Sequence, residues 1–195
     1  HRRANYPLIL SEFGAILAPW APRPLRPLAG LPLALMFGGA YGEVLGVGRH
    51  NRAAIEASYL GFLDDFDAHL SEHPFLLGSR PSVGDFGLIG PLYAHLYRDP
   101  WPGDLMRSRA PRVAEWVERM QHPSGEAGAF LPDDGIPETL IPLLRRFFDE
   151  FGPVAVDTLA KTAVWAASNP AAERFPRFMG RQPFVIGGVG STRRV

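Results

Sequence analysis

Between Asn51 and His73 the apolar positions Ile55, Tyr59, Phe62, Leu63, Phe66 and Leu70 recur at spacings of three and four. That is the period of a helix with one buried face. Pro74 and Gly78 end it. A second periodic segment follows at once. Ile89, Leu92 and Leu96 continue a stripe that begins at Asp85, which predicts a helix over residues 83–98. It stops at Asp99-Pro100, because the residue before a proline avoids the helical region. Ser82 stands where an N-cap would, three residues before Asp85. In a capping box the Ser hydroxyl accepts from the third helical N–H, and the side chain at that third position reaches back to the N-cap N–H. Pro81 and Phe86 occupy the two positions of a hydrophobic staple. Asp85 shares the apolar side of the helix, so its carboxylate is expected in the core. There it must be hydrogen-bonded, at a cost of about 2–7 kcal/mol otherwise.

The remaining pattern is also helical. Tyr6 to Leu17 predicts a short helix, with Pro7 tolerated in the first turn. Pro19, Pro22, Pro24 and Pro27 are expected to break regular structure after it. Residues 28–48 are nearly uncharged, with Glu43 as the exception, and approach the length of a membrane span. Pro32, Glu43 and the glycines make a poor spanning helix, so a buried or loosely ordered helical segment over 33–47 is expected instead. Pro111 suits the first position of a helix reaching about Met120. Residues 123–137 read as a Gly/Pro/Asp loop. Glu138 to Glu150 is amphipathic, with Leu140, Leu143, Leu144, Phe147 and Phe148 expected inward, and Pro153 to Ser168 is a further helix. Pro183 to Val195 reads as an irregular tail or a short strand. The fold class predicted is an all-α helical bundle over residues 1–122. A helical extension over 123–195 packs on the same domain and ends in the irregular tail.

Composition narrows the function. Twenty basic and twenty acidic residues give a net charge of +0. Such a chain has no field to gather nucleic acid or an anionic membrane. Cysteine is absent, which removes disulfides, thiolate metal sites and a cysteine nucleophile. Lys161 is the one lysine and the other nineteen basic residues are arginine. The arginines are scattered among acids, so codon usage rich in G and C explains them better than phosphate binding does. The chain begins at His1 without an initiator Met and stops after GSTRRV. That leads to the expectation of a piece of a longer protein.

Few residues stand out as chemistry. Asp65, His69 and His73 fall at i, i+4 and i+8, a possible metal edge, but a solvated Asp–His pair explains them more simply. No metal site is expected. Tyr93, Tyr97 and Arg98 could line an aromatic pocket with a cationic anchor. His95 has no visible carboxylate partner or nucleophile nearby in sequence. Asp64, Asp65 and Asp67 read as acids on an exposed face, and Asp133-Asp134 as loop residues. GGVG at 187–190 is not a phosphate-binding spacing.

The run FLLGSRPSVGDFGLIGPLYAHLYRDP resembles the helical C-terminal domain of glutathione transferases. Pro81, Ser82 and Asp85 match that family's capping box, and FLLG at 75–78 matches the approach to it. Pro111, Val113 and Trp116 match its next helix. The resemblance spans about residues 51–122 and thins beyond 130. It implies the hydrophobic-substrate half of a bacterial glutathione transferase-like enzyme, inactive alone. Glutathione would be the co-substrate of the parent enzyme, held by a thioredoxin-like domain absent here, and the partner a small hydrophobic electrophile. A cytoplasmic homodimer with no bound cofactor, no nucleic acid and no membrane is expected. No catalytic residue is named. Tyr6, Tyr93, Tyr97 and Arg98 are the candidates for the substrate side, and Ser82 and Asp85 are structural. The alternative is a non-catalytic interaction module of the same family.

Overall fold

The computed structural model describes residues 2–37, 41–123 and 128–194. The chain forms two compact units, one of residues 1–34 and 60–143, the other of residues 35–59 and 144–195. Helices carry most of both. They are α1 (Arg2–Leu17), α2 (Arg26–Leu35), α3 (Tyr41–Val44), α4 (Arg52–His69), α5 (Val83–Leu92), α6 (Pro100–Arg109), α7 (Pro111–Gln121), α8 (Ile141–Glu150) and α9 (Gly152–Ser168). A hairpin follows, β1 (Arg181–Ile186) and β2 (Val189–Arg194). The divisions between the units fall at the last residue of α2, within α4 and within α8.

In the first unit, α1 and α2 pack backbone to backbone. A Cβ on Gly14 would lie 1.8 Å from the Arg26 carbonyl oxygen, and one on Gly30 would lie 2.2 Å from that of Leu10. Any side chain at either position would push the helices apart. The expected proline break is one residue run too long, because Pro27 sits in the first turn of α2, where a missing N–H costs nothing. In place of one helix over 33–47, α2 runs from Arg26 to Leu35 and α3 covers Tyr41–Val44, with Leu35 and Phe37 exposed. Residues 38–40 lie outside the described residues.

The core of this unit forms where α4, α5 and α7 present Leu63, Phe66, Leu92, Val113, Trp116 and Val117. Trp116 meets Phe66 edge to face, with ring centroids 5.1 Å apart. The residues 83–98 do not form one regular helix. The α-helical part ends at Leu92, and Tyr93–Tyr97 continues as a π-helical turn. Pro91 lies one residue before that turn and cannot donate an N–H to the ladder. Phe86 points to solvent at 64% exposure, so the staple expected with Pro81 is not made. Helix α6 was not expected; Asp99-Pro100 ends one helix and also supplies the proline at the start of the next.

In the second unit, the tail is ordered, which corrects the all-α reading and its irregular end. The hairpin pairs Arg181 with Arg194 through to Ile186 with Val189, leaving a two-residue loop. Gly187 and Gly188 have φ of 53° and 78°, both in the left-handed region. A turn of this kind needs φ > 0 at both central residues, which two glycines supply without steric cost. Alternation then divides the hairpin. Gln182, Phe184, Ile186, Val189, Ser191 and Arg193 form the more covered face. Gln182, wholly buried, fastens β1 to α9: its amide donates to the Val154 carbonyl at 2.7 Å and to the Asp157 carboxylate at 2.7 Å. Glu150 at the end of α8 accepts from the Ser58 hydroxyl at 3.0 Å and from the Gly187 N–H at 3.3 Å. Of the residues expected inward on α8, Leu143 is buried, but Phe147 and Phe148 are 53% and 63% exposed.

Candidate functional site

The best-built polar group in the chain is Asp85. Its side chain is wholly buried, as its place on the apolar stripe requires. Oδ2 accepts from the Ser82 N–H at 2.8 Å and from the Ser82 hydroxyl at 2.7 Å. Oδ1 accepts from the Leu76 N–H at 3.1 Å and from the Trp116 indole N–H at 3.0 Å. Ser82 itself is extended, with φ −99° and ψ 171°, and pairs reciprocally with Asp85 as in a capping box. One carboxylate thus ties together the 76–82 approach, the start of α5 and the middle of α7. Four donors meet its lone pairs, which is how a buried carboxylate escapes its desolvation cost. All four donors belong to the fold, so Asp85 is placed to hold structure.

A second buried polar group lies nearby. His69 is also wholly buried, not part of a solvated edge with Asp65 and His73. Its Nε2 lies 3.2 Å from the Phe75 carbonyl oxygen, which can only accept, so Nε2 carries the proton. Nδ1, 2.9 Å from the Thr139 hydroxyl, then accepts from it. Burial lowers the His69 pKa from its usual 6.5, against opposing pulls from the Phe75 carbonyl and Asp85. Among the described residues no group of three or more His, Asp or Glu side chains is placed to hold a metal ion.

The aromatic candidates fall partly together. Tyr93 and Tyr97 stack on the π-helical turn with centroids 6.4 Å apart. The Tyr97 hydroxyl donates to Glu118 on α7, and that bond raises the phenol above its ordinary range. The Arg107 guanidinium covers the Tyr97 ring at 5.1 Å. Arg98 is ion-paired with Glu12 of α1. Tyr6 lies on α1 at 38% exposure, and no hydrogen bond or ring contact among the described residues joins it to Tyr93 or Tyr97. Asn5 on the same helix is better connected: its amide donates to Asp99 at 3.2 Å and its oxygen accepts from the Trp101 N–H at 3.1 Å. Tyr93, Tyr97 and Arg98 therefore share one short segment, while Tyr97 and Arg98 already have partners on α7 and α1. Asp64 and Asp67, expected as acids on an exposed face, hold Arg109 and Arg112 at 2.7–2.8 Å. Those pairs join α4 to the α6–α7 junction, and the spacing of the arginines in sequence gave no sign of them.

Residues 49–119 match the family model for the glutathione S-transferase C-terminal domain. Comparisons with curated proteins and with solved structures returned no match. The match begins just before α4 and ends within α7, and so contains the whole Asp85 network. Over residues 49–119 the chain is similar to the glutathione S-transferase C-terminal domain family.

Proposed function

We propose that this chain is the helical, hydrophobic-substrate half of a glutathione transferase-like enzyme. The observation that carries the reading is the family match over residues 49–119. In this reading glutathione binds on a separate thioredoxin-like domain of the parent protein. Its thiolate attacks an electrophilic carbon, a C–S bond forms as the bond to the leaving group breaks, and the thiol proton passes to solvent. Tyr93, with its ring next to the stacked Tyr97, contributes apolar surface for the electrophile. The parent protein, passed over immobilised glutathione and assayed with an aryl halide, is expected to bind and to release halide. Tyr93→Ala is expected to raise KM for the halide more than it lowers kcat. Neither binding nor turnover across several electrophiles would remove the enzyme reading.

A second reading, a non-catalytic interaction module, is favoured by a different observation. Tyr97 and Arg98 are engaged within the chain, while Trp20, Ile16 and Leu28 on and beside α1 and α2 are 84%, 71% and 71% exposed. Large apolar side chains left this exposed suit a protein partner, a second copy of the chain included. Trp20→Ser with Leu28→Ser is expected to weaken assembly, measured by sedimentation, without touching glutathione conjugation.

A further inference from the structure

We propose that the groove between residues 46–50 and the edge of β2 binds a small polyanion. The groove has a volume of about 630 Å³, within the range of small-molecule sites. Its walls include Gly46, Gly48, His50, Arg181, Arg193 and Arg194, and no acidic residue lines it. The hairpin register sets Arg181 directly opposite Arg194 on one face. Like charges in that position repel. Among the described residues no ion pair relieves Arg181, Arg193 or Arg194. An anion with two or more charges would relieve the facing pair Arg181 and Arg194.

The groove is also held in shape. The Arg193 Nε donates to the Gln182 oxygen at 2.8 Å, and Gln182 is wholly buried, so this guanidinium is anchored from below. Arg194 rests over the Phe178 ring at 5.4 Å. The opposite wall is fixed through Gly46, whose carbonyl accepts from the Asn51 amide at 2.8 Å and from the Ser191 hydroxyl at 2.8 Å. A Cβ on Gly46 would fall 2.4 Å from the Thr192 carbonyl oxygen, so the walls could not stand this close with any other residue there. The His50 Nε2 lies 3.3 Å from the Ser191 hydroxyl of β2 and so joins the two walls. An arginine carried only for solubility would not be anchored by a buried glutamine, as Arg193 is. Guanidinium groups pair with phosphate and with carboxylate in the same two-pronged geometry, so the shared chemistry is that of a phosphate ester or a polycarboxylate.

Calorimetric titration of the full chain with inorganic pyrophosphate, and separately with citrate, tests this at low ionic strength. One saturable site is expected, weakened by added salt. Arg181→Ser with Arg194→Ser is expected to weaken it about tenfold or more. Both side chains are on the exposed face of the hairpin, and circular dichroism of the variant should be unchanged. Arg23→Ser with Arg145→Ser removes the same charge from exposed positions elsewhere and is expected to leave binding intact. Tighter pyrophosphate assigns a phosphate ester, and tighter citrate a polycarboxylate. No saturable binding of either probe would overturn the proposal. So would equal losses in both double variants, or no loss in the first.

Discussion

At the scale of single residues, burial decides which polar groups matter. Asp85→Ala would strand the Leu76 and Ser82 N–H groups and the Trp116 indole N–H inside the core. Each unmet donor costs about 1–3 kcal/mol, so a loss of about 3 kcal/mol or more is expected in urea unfolding. Asp85→Asn keeps the shape but turns an amide toward one of these donors, and it should still destabilise measurably. Tyr59 gives the opposite expectation. Its hydroxyl is buried without a hydrogen-bond partner among the described residues, and burial pushes the phenol up to about 12. Tyr59→Phe should therefore be neutral or stabilising by about 1 kcal/mol. His69 makes stability depend on pH. Its folded pKa lies below the unfolded value of 6.5, so the unfolded chain takes up the proton first. Its contribution is complete above 6.5 and is lost as pH falls through that value toward the folded pKa. Melting temperature followed from neutral to acid pH should fall less steeply in His69→Gln. Asp85 was legible in the sequence because its spacing placed a carboxylate on an apolar stripe. The burial of His69 was not, because its partner Thr139 lies 70 residues away.

At the scale of elements, periodic helices were legible and the hairpin was not. Helices α4, α5, α7 and α9 announce themselves through spacing and proline punctuation. The strands carry Pro183 and Gly190 and show little apolar alternation, so nothing local marks them. Their cover comes from α9 through Gln182. Gln182→Ala should leave the Val154 carbonyl and Arg193 without this partner and free the hairpin. Faster amide exchange over residues 181–194, with α5 and α7 unchanged, is the expected result. The facing arginines Arg181 and Arg194 were hidden for the same reason. Arg181 stands apart from Arg194 in sequence, and only the two-residue turn at Gly187-Gly188 sets them opposite each other.

At the scale of the whole chain, composition excluded more than it assigned. Balanced charge argued against a nucleic-acid surface, and among the described residues no helix is long and apolar enough to cross a membrane. With a pI near 7.2, solubility of the chain should pass through a minimum near that pH, read by light scattering across a pH series. The family was legible from residues 75–116 because its signature is a folding device. The Asp85 network has a further consequence, in time. Its long-range bonds close loops of only 9 and 31 residues. The groove instead depends on bonds between residues 141 and 145 positions apart. Closure entropy rises with loop length, and contacts local in sequence form sooner. Conservative changes around Asp85 should therefore slow refolding, while those at Gln182 should mainly speed unfolding. A growing chain would have every donor to Asp85 in hand by Trp116, long before the hairpin exists.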